Sequence, residues 1–103
     1  MHYVYFLRLS NGNVYKGSTI DLRRRIAQHT SGGVASTCRY LPVTLIGYEA
    51  YGLKSDAQRR EKFMKTTEGK RLFRQQYRDI LVTGENDNSR NWSGSSTDRT
   101  PPS

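Results

Sequence analysis

The sequence predicts a small α+β sandwich whose elements follow the order ββαβαα. Two segments rich in aromatic and β-branched residues flank a Ser-Asn-Gly turn near the N-terminus, as expected for a hairpin. Two later segments begin with polar capping residues and place apolar side chains on one helical face. After residue 82 the chain is rich in Ser, Asn, Asp, Gly and Pro. We therefore predict one domain over residues 1–82 and a disordered polar tail over residues 83–103.

Capping and turn residues set the predicted boundaries. Ser18 with Asp21, and Ser55 with Gln58, each have the spacing of a capping box that opens a helix. Thr66–Gly69 interrupts the second helical segment. The predicted elements are strands at Tyr3–Leu9 and Val14–Ser18, a helix at Thr19–His29, an edge strand at Val43–Tyr51 after Pro42, a helix from Ser55 to about Lys65, and a last helix from about Lys70 to Leu81.

The loop length of the first hairpin decides where its two tyrosines point. A two-residue Asn-Gly loop would place Tyr5 and Tyr15 on opposite faces of the sheet. A three-residue loop, Ser10–Gly12 with its glycine in the left-handed region, places them on the same face. That face would hold Tyr5, Leu7, Tyr15 and Gly17, and the glycine would leave room there for a ligand.

The charge indicates a polyanionic partner. The chain has 17 Lys and Arg against 9 Asp and Glu, which gives a net charge of +8. The tail carries a net charge of −1, so residues 1–82 carry +9 and the basic character belongs to the domain. A field of this sign favours nucleic acid or a phosphate substrate, although small proteins are also basic for solubility.

Composition also narrows the class of protein. No apolar run approaches the ~18–20 residues that span a bilayer, so no membrane span is predicted. The first ten residues lack the basic and small-residue regions of a signal peptide. Cys38 is the sole cysteine, so neither an internal disulfide nor a multi-cysteine zinc site can form. A reducing, cytoplasmic setting is the expected location.

The first predicted helix carries charge on its apolar side. Arg25 and His29 fall with Leu22 and Ile26 within roughly one 100° arc. An arginine on that side needs a partner, because an unpaired buried charge is costly. The partner could be a carboxylate or a substrate phosphate. His29 could be a core histidine or one that interacts favourably with the C-terminal end of its helix.

A carboxylate lies on the apolar stripe of the next helix. Ala57, Glu61 and Met64 form this narrow stripe. Glu61 could pair with Arg25, which would be a structural role. It could instead be an oxygen ligand for Mg²⁺, which needs only one or two carboxylates when phosphate and water fill the other positions.

Taken together, these segments resemble the GIY-YIG nuclease family over residues 3–78. The combination of motifs is specific, whereas the two tyrosines alone are a weak signal. The motifs are Tyr3-Val4-Tyr5, Val14-Tyr15-Lys16-Gly17-Ser18-Thr19, Asp21-Leu22-x-x-Arg25-Ile26-x-x-His29, the Gly32-Gly33 loop, Pro42-Val43-x-Leu45, Tyr48-Glu49, and Ser55-x-Ala57-x-x-x-Glu61-x-x-x-Lys65.

The resemblance implies a compact sandwich around a three-stranded antiparallel sheet, and divalent-metal-dependent hydrolysis of DNA phosphodiesters. It implies that Tyr5 and Tyr15 are the motif tyrosines and that Arg25 contacts the scissile phosphate. It further implies that His29 lies beside that phosphate and that Glu61 binds one Mg²⁺ (or Mn²⁺) ion. The division of labour among the tyrosines and the histidine stays open, with Tyr15 favoured as the base.

The sequence departs from the family pattern at two places. Lys16 stands where the family has isoleucine, on the strand face that should point away from the tyrosines. The segment after Glu61 lacks the late asparagine of many members, and Gln75 and Gln76 are the candidates to replace it. The residues predicted to contact the DNA backbone are Lys16, Arg23, Arg24 and Lys65.

Two other functions are compatible with the sequence. A catalytically inactive, basic nucleic-acid-binding domain of the same fold would explain the charge and the missing asparagine. A structural or adaptor domain would have no affinity for DNA. If the chain is a nuclease, so small a domain has low sequence specificity, and a protein partner would supply the choice of substrate.

Overall fold

The protein has three strands and four helices in the computed structural model, which describes residues 1–83 of the 103. The predicted tail falls outside the described residues, apart from Thr83. The elements are β1 (His2–Arg8), β2 (Val14–Thr19), α1 (Leu22–Thr30), a 3-10 turn at Cys38–Tyr40, β3 (Thr44–Tyr51), α2 (Lys54–Met64), α3 (Thr67–Gln76) and α4 (Arg78–Thr83).

The strands form one antiparallel sheet in the order β2-β1-β3, so β1 is central and the prediction of an edge strand for β3 is confirmed. Tyr5 pairs with Gly17 and Leu7 pairs with Tyr15, which places both tyrosines on one face. The three-residue loop is confirmed as well. Gly12 has a φ of 91° and donates its amide to the carbonyl of Leu9 at 2.9 Å.

The sheet is covered on both faces, which confirms the α+β sandwich. Odd-numbered residues of β1 pack with Leu22 and Ile26 of α1 in one core. Even-numbered residues of the same strand pack with Ala57, Met64 and Phe73 of α2 and α3 in the other. Because β1 lies between two cores, its residues 4 to 7 are all buried.

The first helix begins later than predicted, and the capping box at Ser18 is wrong. Thr19 is still in β2, where it pairs with Tyr3. The N-cap is Asp21, whose carboxylate accepts the backbone N–H of Arg24 at 3.2 Å. The hydroxyl of Ser18 is engaged elsewhere, because it donates to a side chain of α2.

The boundaries of the later helices also differ from the prediction. α2 begins at Lys54 after an N-cap at Leu53 with no side-chain cap, so the capping box at Ser55 is wrong. The next helix, α3, does have a side-chain cap. Its N-cap is Thr66, whose hydroxyl accepts the N–H of Gly69 at 3.0 Å. The predicted interruption over Thr66–Gly69 is wrong in extent, because α3 already begins at Thr67 and includes Gly69. An added Cβ at Gly69 would overlap the Phe63 carbonyl oxygen, so the close approach of α3 to α2 requires glycine there.

The single last helix of the prediction is two helices, α3 and α4, separated by Tyr77. The ring of Tyr77 stacks on Phe73 with centroids 4.5 Å apart and packs against the core between the sheet and α2. The fold therefore has one helix more than predicted. The break between α3 and α4 falls at Tyr77, whose side chain packs against the core.

Candidate active site

A buried chain of polar groups joins β1 to α1 and to the segment after it. The Tyr5 hydroxyl lies 2.9 Å from His29 Nε2, and His29 Nδ1 lies 2.8 Å from Thr37 Oγ1. All three side chains are at most 1% exposed. Both ring nitrogens of the histidine are thereby satisfied, as a buried imidazole requires.

The donors around these side chains favour one arrangement of the shared protons. The Arg25 Nε–H donates to the Tyr5 oxygen at 3.4 Å, so the tyrosine proton is directed to His29 Nε2. The imidazole then carries its own proton on Nδ1 and donates it to Thr37. Burial, and secondarily the Arg25 charge, lower the pKa of His29, so the ring is neutral at neutral pH.

Tyr5 is held in its protonated form. Burial is the largest cause and raises the pKa of Tyr5, against the opposing effect of its hydrogen bond from Arg25. The charges of Tyr15 and Glu61 raise the pKa of Tyr5 further. A buried phenol with a raised pKa is a poor base, and the Tyr5 hydroxyl is engaged instead in hydrogen bonds to His29 and Arg25.

Tyr15 completes the aromatic cluster and is its partly exposed member. Its ring centroid lies 5.1 Å from that of His29 and 6.3 Å from that of Tyr5. Gly17 is buried beside them, and a Cβ there would lie 2.5 Å from the Tyr5 hydroxyl oxygen. The expected space for a ligand at Gly17 is therefore wrong, because the Tyr5 ring fills it.

Arg25 has no carboxylate partner among the described residues, so the alternative Arg25–Glu61 pair is wrong. Its guanidinium donates to Tyr5 and to Gln28 Oε1, the latter at 3.0 Å. The hydrogen bond to Tyr5 raises the pKa of Arg25. Two of the five N–H groups are used in these bonds, and the half-buried guanidinium can offer others to a phosphate oxygen.

Glu61 lies on α2, in the other layer of the sandwich, and contacts β2 through Ser18. Its Oε1 accepts from the Ser18 hydroxyl at 2.7 Å and its Oε2 accepts from Lys65 Nζ at 2.9 Å. The side chain is 22% exposed. The sequence analysis assigned Ser18 to a capping box and not to the Glu61 carboxylate. Strand alternation could have indicated this contact, because it places Lys16 and Ser18 on the sheet face that meets α2.

Glu61 is a suitable but solitary metal ligand. The described residues contain no group of three or more His, Cys, Asp or Glu side chains that could hold an ion. A carboxylate has about four lone-pair sites, and the bonds from Ser18 and Lys65 leave some of them for a cation. An Mg²⁺ ion with one carboxylate, a substrate phosphate and water fits this donor set.

The remaining predicted residues lie around this centre. Lys16 Nζ lies 5.3 Å from the Phe73 ring centroid in the opposite layer, which confirms that its side chain points away from the tyrosines. Gln75 and Gln76 are exposed and form no side-chain hydrogen bond within residues 1–83, so their replacement of the late asparagine stays a prediction. The other predicted DNA contacts, which are Arg23, Arg24 and Lys65, are exposed.

Comparisons with known proteins agree on one family. The model of the GIY-YIG catalytic domain matches residues 1–77. A UPF0213 protein of Halobacterium salinarum is 45% identical over 62 residues, which are 59% of this chain and 80% of that protein. A UPF0213 protein of Streptococcus agalactiae is 37% identical over 82 residues, which are 79% of this chain and 83% of that protein.

A solved structure gives the same result. The solution NMR structure of a UPF0213 protein from Bacillus halodurans superposes with a TM-score of 0.52 at 32% sequence identity. The superposition covers 84% of this chain and 96% of the other. None of the helices within residues 1–83 is both long and apolar enough to cross a membrane.

Proposed function

Because the chain belongs to the GIY-YIG catalytic domain family, we propose that it is a metal-dependent endonuclease that hydrolyses DNA phosphodiester bonds with low intrinsic sequence specificity. Family membership implies nuclease activity. The observation that carries the proposal for this chain is the position of Arg25, which is anchored by Tyr5 and Gln28 and has no carboxylate partner in residues 1–83. A cation held in this way is ready to bind a phosphodiester.

Arg25 binds and polarises the scissile phosphate. Its remaining N–H groups donate to the non-bridging oxygens, where negative charge increases as the attacking oxygen approaches. The bond from Nε to Tyr5 fixes the plane of the guanidinium before substrate arrives, so little reorganisation is needed.

Tyr15 is the proposed base that receives a proton from the attacking water. It is partly exposed, whereas Tyr5 is buried and held protonated. The Arg25 guanidinium interacts with both tyrosines, so the cation that would hold the phosphate lies beside the proposed base. Tyr5 and His29 orient Arg25 and the neighbouring ring.

Glu61 is the proposed ligand of one Mg²⁺ or Mn²⁺ ion, held in place by Ser18. When bound, such an ion supplies Lewis-acid stabilisation of the leaving oxygen. Lys65 bonds the same carboxylate and would compete with the metal for it. The Ser18 bond keeps Oε1 oriented even when Lys65 moves away.

The partners follow from the surface of the domain. Arg23 and Arg24 on α1, with Lys16 and Lys65 on the other side of the β2 edge, are proposed contacts to the DNA backbone. These contacts carry no sequence information, so a protein partner would choose the substrate. The exposed thiol of Cys38 fits the reducing cytoplasm that we propose as the location.

A second candidate is a nucleic-acid-binding domain of the same fold without catalysis. The observation in its favour is that both Glu61 oxygens are already bonded within the protein, to Ser18 and to Lys65. This protein would bind DNA through its basic surface in a salt-sensitive way and would not cut it.

The deciding experiment measures cleavage of labelled duplex and branched DNA with Mg²⁺, with Mn²⁺ and with EDTA. We expect metal-dependent cutting that falls by about 100-fold or more in Arg25→Gln and in Glu61→Gln. Glu68→Gln is the matched control, because this carboxylate is exposed and ion-paired with Arg71 on α3. Salt-sensitive binding without cutting would select the second candidate, and cutting that persists in Glu61→Gln would overturn the assigned site.

A further inference from the structure

Four cations lie on the side of the sheet that packs against α2 and α3, and we name this group the β2–α3 basic surface. It consists of Lys16 on β2, Lys65 at the end of α2, and Lys70 and Arg74 on α3. The chemistry of the active site makes no use of Lys70 or Arg74, and no motif of the sequence singles them out. Their position beside Lys16 is visible only in the folded chain.

The geometry brings these side chains together from three elements. Lys16 Nζ lies over the Phe73 ring, 5.3 Å from its centroid. Lys70 and Arg74 are four residues apart on α3 and so lie on the same side of that helix, with Arg74 next to Phe73 in the chain. Burial is the largest cause that lowers the pKa of Lys16. The next causes are the positive charges of Lys70, Arg74 and Lys65, in that order.

Most of this surface lacks neutralising carboxylates. Within residues 1–83, Lys16, Lys70 and Arg74 form no ion pair, whereas Arg71 on the same helix pairs with Glu68 and Arg59 pairs with Asp56. Like charges held close together repel each other, and an anionic partner relieves that repulsion. The positive charge of these three residues, which no carboxylate neutralises within residues 1–83, therefore indicates a polyanion as the ligand.

The surface is continuous with the proposed metal ligand. Lys16 and Ser18 are two residues apart on β2, so they lie on one face about 7 Å apart. Ser18 donates to Glu61, and Lys65 bonds the other oxygen of the same carboxylate. Glu61 and Lys16 are thereby joined through Ser18 on one face of β2.

We propose that the β2–α3 basic surface binds the phosphate backbone of the DNA that flanks the cut, and that Lys70 and Arg74 are its outer contacts. The proposal rests on the function assigned above, because it extends the same substrate path. It places the DNA across the β2 edge, with α1 and Arg25 on one side of the scissile phosphate and α3 on the other. The ligand is the sequence-independent backbone, so the contribution is to affinity and position and not to base recognition.

The test measures duplex binding by fluorescence anisotropy of the full chain without metal, from 50 to 200 mM salt. Each phosphate contact contributes about 0.9 to the slope of log K against log salt. We expect Lys70→Gln/Arg74→Gln to reduce that slope by about 1.8 and to weaken binding at low salt. The matched control Lys54→Gln/Arg59→Gln removes the same charge from the first half of α2. Lys54 lies about 16 Å and Arg59 about 9 Å along the helix axis from Lys65, so this variant should leave the slope within about 0.5 of wild type.

Three outcomes separate this proposal from the proposed function. A reduced slope only in the α3 variant supports the surface, whether or not the protein cuts DNA. Equal slopes in the α3 variant and its control overturn the surface, even if wild type cuts and Arg25→Gln does not. A third variant, Lys16→Met, keeps the aliphatic stem over Phe73 and should lower the slope by about 0.9; no change there would remove Lys16 from the surface.

Discussion

At the scale of single residues, the Tyr5 hydroxyl is the junction of the site. It accepts from Arg25, bonds His29 and fills the space above Gly17, so one oxygen links β1, β2 and α1. The tyrosine, the arginine and the histidine were each singled out in the sequence. Their direct bonds, and the part that Thr37 plays, depend on side chains far apart in the chain.

Gly17→Ala should disrupt this junction. The new methyl group would lie 2.5 Å from the Tyr5 oxygen and 2.7 Å from its Cζ, so the ring must move. We expect a loss of about 1–3 kcal/mol in the free energy of unfolding, together with most of the cleavage activity. Gly52→Ala, where no atom lies within 4 Å of the added Cβ, is the control and should change stability by less than about 1 kcal/mol in urea unfolding.

Thr37→Val should leave His29 Nδ1 without its partner in a fully buried position. The expected cost is about 1–3 kcal/mol, because a buried polar group is left unsatisfied. Thr37→Ser keeps the hydroxyl and should restore most of that stability. NMR titration of the His29 ring separates the role in bonding from simple packing, since only Thr37→Val should change its protonation behaviour.

His29 should also make folding sensitive to mild acid. The pKa of His29 is lowered in the folded state, so below pH of about 6.5 the unfolded chain binds a proton that the folded chain does not. Stability is therefore complete above that pH and falls as the pH drops, by up to about 1.4 kcal/mol per pH unit. Urea unfolding at pH 7.5 and 5.5 checks the sign, and His29→Gln should show a smaller fall over the same interval.

At the scale of elements, the crossing of α2 and α3 depends on Thr66 and Gly69 and not on Ser55. The sequence offered Ser55 as a cap because its spacing to Gln58 fits a capping box. The folded chain starts α2 one residue before that serine and uses the Thr66 hydroxyl to start α3. Local spacing cannot distinguish these sites, because a cap is defined by where packing lets the helix begin.

Thr66→Ala should therefore destabilise the protein by about 1 kcal/mol, the usual cost of losing a side-chain cap. Ser55→Ala is the matched control, because α2 has no side-chain cap bond. It should change the unfolding free energy by less than about 0.5 kcal/mol. Thermal or urea unfolding of the two variants decides the matter, and an equal loss in both would show that the assigned caps are wrong.

At the scale of the whole molecule, the described residues contain two hydrophobic cores on either side of the sheet. The core on the α2 and α3 side of the sheet includes Ile80 and Leu81 of α4, and the Arg8 side chain donates to the Ile80 carbonyl at 2.7 Å. α4 is thus part of the domain, although the family match ends at residue 77.

A chain ending at Thr83 should keep the unfolding free energy of the full chain within about 0.5 kcal/mol, because both cores lie before that residue. A chain ending at Gln76 should lose more than about 2 kcal/mol, since it lacks the apolar side chains of α4 and the bond to Arg8. Urea unfolding compares the three chains. A large loss on removing residues 84–103 would contradict the predicted domain boundary.

The sequence alone predicted most of the fold because its signals are local. The three-residue turn at Gly12 fixed the register of the first hairpin, and therefore the shared face of Tyr5 and Tyr15. Helical spacing placed Arg25 and His29 on the side that packs against the sheet. The order of the motifs was enough to identify the GIY-YIG family, whose model matches residues 1–77.

Only the tertiary structure decided which side chains meet. Glu61 pairs with Ser18 and Lys65 and not with Arg25, because α2 lies on the opposite face of the sheet from α1. Thr37 reaches His29 from a loop with no periodic pattern, and Lys70 and Arg74 reach Lys16 from another element. Spacing along a chain determines the face of an element, whereas partners across elements depend on how the layers pack.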